Sequence, residues 1–523
     1  MSRHLSDTPP MGRKNAKDTI YTQIEAYCDR QEFIVFNQTH HNLKRAINER
    51  LLNRLVLGRW QVPGTADDDY ISLLENVLHR ELYPFLPKCT PISFREFISK
   101  YNGRKLARYN KAHEAIIAHP EIVKRDIRIS AFGKKELLPV KSSKPFDKMI
   151  MRVVQARTPK FNLALGVFVR PSEDRIYHAI DDMYRKFTKA SKQERTIMKG
   201  LNSKQIAAQI RLKWLRIPDV VALPLDASRF DQSCNTKLLR VLHSVIAKCF
   251  PNKSDRARVV KLCEQTIHNR CRGKTAQGGV NYKVNGGLCS GEMTTSLTGC
   301  FIMSMIIHLF CRYHLKLPDY AVIDMGDDAC LFVSRKYLSL VLKEIPLFFG
   351  HFDLIMTVEE PIYVIEHIEF CQTKPVFDGE EWRMVRNPKT STIKDATSLT
   401  PLCAQRELAN YLNSVGQGGL SLTGGIPMMQ EYYASMIRNA KELIGKKQFR
   451  DIKLEGGIYY LSKNMNEKYR PVSDDARVSY YRAFGILPDM QIEMEKVYRN
   501  IQIYWCNKQC REHNVRQFFT TST

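Results

Sequence analysis

Four aspartates carry the chemistry this chain could do. Asp226 closes the apolar, β-branched run VVALPL, Asp231 follows five residues later in DASRFDQS, and Asp327 and Asp328 form the corner of VIDMGDDACLFV. An apolar run, a Gly-Asp-Asp corner and a second apolar run read as a hairpin that exposes two carboxylates at its tip. Clustered hard oxygens of this kind hold divalent cations, and paired cations suit phosphoryl transfer. Asp226, read as the end of a buried strand, could meet Asp327 on a neighbouring strand. A bare Gly-Asp-Asp is more often a polar turn. The order of the set, with SGEMTTSLTGC from Ser290 between the two acidic stretches, turns the reading toward a nucleotide-polymerising site.

The elements that must position these groups are legible coarsely. CFIMSMIIHLFC, from Cys300, reads as a buried helix, and at about twelve residues it is shorter than the roughly twenty a bilayer requires. Between Glu173 and Leu215 apolar residues recur three and four apart, as in helices leading to the Asp226 strand. SFREFISKYNGRKLARYNKAHEAI, from Ser93, has helical spacing interrupted at Gly103, and sets Arg104, Lys105 and Arg108 toward RNA phosphate or plain solvent. Residues 134–162 are cationic and loop-rich. Lys134, Lys135 and Lys160 offer point charges there, whereas Arg152 and Arg157 offer the planar fork a triphosphate fits; a basic surface loop is the alternative. Beyond the hairpin, KYLSLVLKEIPLFFG reads as a helix, LIMTVEEPIYVIEHIEFCQTKPV as strands, and VGQGGLSLTGG as a glycine-rich loop.

Composition narrows the partners. The chain has 523 residues, 44% of them hydrophobic, enough for a large core in several domains or one composite domain. Its 80 basic against 54 acidic residues leave +26, which suits a polyanion such as nucleic acid. The opening MSRHLSDTPPMGRKNAK is polar and basic, without the apolar core of a secretory signal, and reads as a mobile arm. Fourteen scattered cysteines suit reduced thiols in a cytoplasmic setting, with peripheral attachment to membranes left open. Cys506, Cys510 and His513, and also Cys263, His268 and Cys271, fall short of a standard zinc set.

Taken together these stretches resemble the RNA-dependent RNA polymerases of positive-strand RNA viruses, most closely the tombusvirus-like replicases (Tombusviridae and relatives), from about Tyr101 to Pro427. DASRFDQS resembles motif A, SGEMTTS motif B, GDD motif C, IEFCQTKPV motif E and RVVQARTPKFN motif F. VRNPKTSTIKD and the stretch ending TGGIP look like the approach to a thumb. The resemblance implies Asp226, Asp327 and Asp328 as catalytic metal ligands for magnesium or manganese, and Asp231 beside the ribose. It implies Ser290 and Gly291 as a loop tracking the base pair, and Thr295 at the sugar. A carboxylate can accept from the 2′-hydroxyl that marks a ribonucleotide. Two departures stand out. The family's asparagine nine residues after the motif B serine is Gly299, and MTVEEP offers Glu359, Glu360 and Pro361 where relatives carry a motif D lysine.

The fold class implied is α+β, a right-hand polymerase with fingers, a palm built on an antiparallel sheet, and a helical thumb, closed at the fingertips. The expected division is a basic N-terminal extension over 1–92, fingers and fingertips over 93–222 with motif F at 134–162, palm with inserted fingers over 223–378, and thumb and C-terminal region over 379–523. Expected partners are single-stranded RNA template and product, ribonucleoside triphosphates, a separate viral membrane-associated replication protein, host factors and a second copy of the chain. Such replicases are often readthrough or frameshift products with a membrane-binding leader, and the expected setting is host cytoplasm at a membrane surface. A reverse transcriptase is the nearest enzymatic alternative, disfavoured by Met325-Gly326 before the aspartates; a non-catalytic RNA-binding scaffold is the other.

Overall fold

Four antiparallel strands occupy the centre of the molecule, in the order Ala321–Asp324, Asp328–Ser334, Val220–Ala227 and Met356–Val358. The computed structural model describes residues 5–8, 21–27, 33–56, 58–139, 148–445, 449, 458, 461–462, 464–505 and 516–518. Side chains alternate across a strand, so a strand covered on both faces reads as continuously apolar. Here Leu223, Leu225, Leu331 and Val333 enter the largest core, while Ala222, Cys330 and Phe332 enter a second one on the opposite face. Helices Pro159–Phe187, Thr236–Lys248 and Thr295–Leu309 cover the first face, and Ser203–Arg216 covers the second.

Thr295–Leu309 carries the apolar run noted from Cys300, and each residue from Leu297 to Leu309 is buried. With the following turn it reaches 20 residues, Thr295–His314, long and apolar enough to cross a membrane by length and composition. That apolar window is 83% buried inside the protein, as befits a helix hydrophobic all round at the centre of a large core.

A second, five-stranded sheet runs Leu5–Thr8, Gly278–Asn285, His268–Thr275, Ile129–Gly133, Val153–Ala156, antiparallel except where His268–Thr275 meets Ile129–Gly133. Helices Gln405–Thr423, Met429–Ile444, Asp474–Phe484 and Pro488–Asn500 surround a third core.

Two expectations change. Residues 1–92 are no mere extension: Leu5–Thr8 joins the five-stranded sheet, Thr22–Ile24 pairs with Thr397–Ser398, Phe33–Ile34 pairs with Leu138–Pro139, and Leu74, Val77, Leu78 and Leu82 lie in the largest core. The glycine-rich stretch is helix rather than loop, because Gln405–Thr423 runs through it. A Cβ on Gly416 would sit 2.7 Å from Ile437 Cγ1 and 2.9 Å from the Tyr433 carbonyl oxygen, so the glycines let two helices pack closely.

Candidate active site

The Gly-Asp-Asp corner is the expected hairpin. Ala321–Asp324 and Asp328–Ser334 pair through Asp324 and Ala329, and the Met325 N–H donates to the Asp328 carbonyl oxygen at 2.9 Å. Gly326 turns the corner at φ +114°, which a side chain would strain. Asp226 sits directly opposite Asp328 in the ladder, with Thr357 on its other side, and Asp327 lies one residue before Asp328 at the tip. The strand contact is thus Asp226 to Asp328, whereas the sequence pointed to Asp327.

Opposed residues in such a pair hold their Cβ atoms about 4.5–5.5 Å apart, and like charges there repel. Enclosure by protein, then Asp327 and Asp226, raise the Asp328 carboxyl above its ordinary value, against the Cys371 thiol that donates to it and the nearby Lys199. Among the described residues no three acidic, histidine or cysteine side chains form a closed metal cage. An open pair of carboxylates beside a third acid is a donor set that suits a hard divalent cation completed by substrate oxygens and water.

A further acid lies beneath the turn. Asp324 is fully buried; its Oδ1 accepts from the Gly326 N–H at 2.6 Å, its Oδ2 has no partner among the described residues, and burial pushes its carboxyl well up. It braces the corner through that hydrogen bond. The one trace in the sequence is a lone aspartate ending an apolar run, VID.

The Gly299 departure has a steric cause. Its backbone packs against the corner, and a Cβ there would stand 3.1 Å from Gly326 Cα and 3.8 Å from the Phe230 ring. Gly299→Asn is expected to cost about 1–3 kcal/mol by overpacking and, by displacing the corner, to slow ribonucleotide incorporation on the order of 10²-fold. Gly299→Ala should do less. Wild-type rates from the asparagine variant would show that the space exists.

The Asp231 side chain reaches solvent from a sunken position and makes no hydrogen bond or ion pair among the described residues, while its backbone carbonyl oxygen accepts from the Leu288 N–H at 2.7 Å. That enclosure and the charge of Asp327 push its carboxyl up to about 6, against the pull of Arg50, Arg152 and Lys134. Arg152, its side chain 48% exposed, is clamped by Glu136 through Nε at 2.6 Å and through Nη2, and Lys134 lies 3.2 Å from the same carboxylate. Arg152 also feels Asp327 and Asp231.

Arg50 escaped the sequence reading, because no motif links it to residues more than a hundred positions away. It arrives by a tether. Arg229, in the left-handed region at φ +53°, donates to the Glu49 and Asn53 carbonyl oxygens, and Gln232 Nε2 donates to the Asn53 carbonyl oxygen at 2.7 Å.

Residues 7–505 match a family model described as viral RNA dependent RNA polymerase. The chain belongs to that family. Three similar proteins are RNA-directed RNA polymerases: that of Oat chlorotic stunt virus, 32% identical over 486 residues, covers 90% of this chain and 63% of that protein. That of Maize chlorotic mottle virus is 32% identical over 510 residues, 95% of this chain and 50% of that protein, and that of Turnip crinkle virus is 31% identical over 474, 90% and 58%. The chain therefore spans between half and about three-fifths of these relatives' length.

Within this polymerase-family chain, the motif B stretch is fastened to the motif F stretch. Gly291 bridges Ala156, its N–H donates to the Gln155 carbonyl oxygen at 2.8 Å, and a Cβ on it would fall 2.6 Å from Ala156 Cα. Ser290 Oγ accepts from the Gln155 N–H at 3.2 Å, and Asn162 Nδ2 donates to the Gly291 carbonyl oxygen at 3.0 Å. Thr295 directs its hydroxyl proton to the Cys289 and Glu292 carbonyl oxygens at 2.8 and 3.0 Å, leaving its oxygen able only to accept from any further group.

Arg157, expected at the triphosphate, is buried instead. Its guanidinium pairs with Glu292 and donates to the Ile127 carbonyl oxygen at 2.6 Å, the Thr266 carbonyl oxygen at 3.3 Å and Asn269 Oδ1. Lys160, expected at RNA, is also turned inward, to Asp126 at 3.1 Å and the Glu121 carbonyl oxygen at 2.8 Å. Lys135 donates to the Leu399 carbonyl oxygen, while Arg104 and Lys105 are exposed on helix Gly103–Ala118. Of the zinc candidates, Cys506, Cys510 and His513 lie outside the described residues; Cys263 and Cys271 are buried, and exposed His268 bonds Asn285.

Proposed function

We propose that this chain is an RNA-directed RNA polymerase, replicating and transcribing a positive-strand RNA genome by template-directed nucleotidyl transfer from ribonucleoside triphosphates. The observation that carries this reading is the pairing of Asp226 with Asp328 beside Asp327, with Asp231 near enough to feel Asp327 and the charges of Arg50, Arg152 and Lys134. In this reading the central sheet is the palm, the five-stranded sheet and the helices from Ser93 are the fingers, and the helices after 379 are the thumb. The N-terminal segment, paired with both extremes, closes the fingertips.

Asp226, Asp327 and Asp328 would hold magnesium or manganese, which when bound supplies Lewis-acid activation of the 3′-hydroxyl and charge neutralisation of the leaving pyrophosphate. Arg152, Arg50 and Lys134 orient the triphosphate; Glu136 keeps Arg152 in place. Asp231 accepts from the 2′-hydroxyl, with Thr295 as a second acceptor, so sugar selection does not need an asparagine at 299. Ser290 and Gly291, locked to the motif F strand, set the base pair against the carboxylates. Positioning and fixed charge are what such a site can contribute to a displacement at phosphorus. Arg104, Lys105 and Lys135 meet RNA phosphate.

A single-stranded RNA template is the further substrate, and the net charge of +26 supports its binding through backbone phosphate. Work in the host cytoplasm, on membranes reached through a separate viral replication protein and host factors, completes the proposal.

The test is incorporation of labelled ribonucleotides on single-stranded RNA. It should vanish on chelation, return with magnesium or manganese, and fail with a deoxynucleotide pool. Incorporation that persists under chelation, or that prefers deoxynucleotides, would sink the reading.

A further inference from the structure

The basic groups around Asp231 account for one side of the carboxylates. A separate cation stands on the other. Residues 196–198 line the edge of the Gly-Asp-Asp hairpin: the Asp324 N–H donates to the Thr196 carbonyl oxygen and the Met198 N–H to the Asp324 carbonyl oxygen, both at 2.9 Å, with Ile197 bridging Asp324. This edge pairing delivers Lys199 beside the corner.

Lys199 is half-buried and forms no hydrogen bond or ion pair among the described residues. Its charge is felt by Asp328, Asp324, Cys371 and Glu173. Asp231, by contrast, responds to Arg50, Arg152 and Lys134. Gly200, Leu201 and Asn202, next in the chain, wall a cavity of about 390 Å³ with Met325 of the corner, Phe370 and Cys371. An ammonium without a partner among the described residues, carried by a segment paired to the acidic corner and one residue before the wall of that cavity, is placed to meet an anion that arrives from outside the chain.

The chemistry says which anion. In an in-line displacement the attacking oxygen and the leaving group lie on opposite sides of the phosphorus. If Arg50, Arg152 and Lys134 hold the leaving pyrophosphate, the strand that supplies the 3′-hydroxyl must approach from the opposite side, and its last phosphodiester comes with it. We propose that Lys199 binds the terminal phosphodiester of the RNA strand being extended. This rests on the polymerase reading above and adds a residue that holds the strand's end rather than the nucleotide.

The test uses the full chain, an RNA duplex with a recessed 3′ end, and the same duplex with a neutral methylphosphonate at its last linkage. Lys199→Ala should weaken duplex binding roughly three- to tenfold and lower the slope of log affinity against log salt by about one, with Lys199→Arg near wild type. The methylphosphonate should weaken wild type equally and leave Lys199→Ala unmoved, since the two changes delete one contact. KM for ribonucleotides should not change.

Equal salt slopes in wild type and Lys199→Ala would overturn the assignment, as would additive effects of methylphosphonate and alanine. A change confined to thermal stability or to ribonucleotide KM would also overturn it. The two readings fail separately. A wild-type chain that incorporates nothing, yet shows the non-additive binding pattern, would refute the polymerase reading and keep the contact. A wild-type chain that extends the duplex with no response at Lys199 would do the reverse.

Discussion

Asp327→Ala is expected to reduce ribonucleotide incorporation by about 10³-fold or more while leaving the thermal midpoint at or slightly above that of the wild type. The first half follows from its place at the tip of the hairpin, next to the Asp226 and Asp328 pair and within reach of Arg152. The second half follows from what Asp327 does to its neighbours. It is exposed, makes no hydrogen bond or ion pair among the described residues, and its charge raises both the Asp328 and Asp231 carboxyls. Removing it relieves repulsion and breaks no packing. Incorporation and melting, measured side by side, separate the two effects: a folded variant with wild-type turnover would take Asp327 out of the site, and a collapsed midpoint would make it a structural group.

The second large effect is Arg157→Ala. Its guanidinium pairs with Glu292 where neither side chain is appreciably exposed, 0% and 5% respectively, and the alanine leaves that carboxylate buried without its counter-charge. Breaking a buried pair from one side costs about 3–5 kcal/mol, a large share of the stability of most domains. Urea unfolding should show this loss, and Arg157→Met with Glu292→Met should recover much of it, because two apolar groups leave no orphaned charge.

The pH dependence has a definite sign. Burial raises the Glu292 carboxyl even with Arg157 opposing it, and without the arginine it rises further. A carboxyl raised in the folded state binds more protons there than in the unfolded chain, so its contribution improves as pH falls through the folded value. The deficit of Arg157→Ala relative to wild type should therefore shrink toward acid pH. A deficit that is constant with pH, or below about 1 kcal/mol, would show that Arg157 does not neutralise Glu292.

What could be read in the residues beforehand was the part whose chemistry is local. Asp226, Asp231, Asp327 and Asp328 sit within short stretches whose own hydrophobic pattern announces a strand end or a hairpin tip, and the structure brings those stretches together. The basic segment was harder. Arg152 and Arg157 are five residues apart and chemically alike, yet one is half-exposed beside Glu136 and the other buried against Glu292, a difference created by the 266–292 segment that closes over the second.

Arg50 and Lys199 were invisible for a related reason. Each is placed by a backbone tie of its neighbours to a distant residue, Glu49 and Asn53 to Arg229, and Thr196 and Met198 to Asp324, that local patterning does not encode. The glycine run misled because glycine marks both loops and tight helix contacts, and only the partner helix at Tyr433 and Ile437 decides between them.

The clasp formed by the first strands also sets an order of events during synthesis. Thr22 Oγ1 accepts from the Leu402 N–H across 380 residues of chain, and the Ile24 N–H reaches the Ala396 carbonyl oxygen. Leu5–Thr8 waits similarly for Gly278–Asn285. Pairings this distant along the chain are slow to form, and a polypeptide emerges from the ribosome N-terminus first. Leu5–Thr8 and Thr22–Ile24 thus emerge well before the strands they dock on, and the nascent chain presents the edge of Phe33–Ile34 until residue 139 is out and that of Thr22–Ile24 until residue 402 is out.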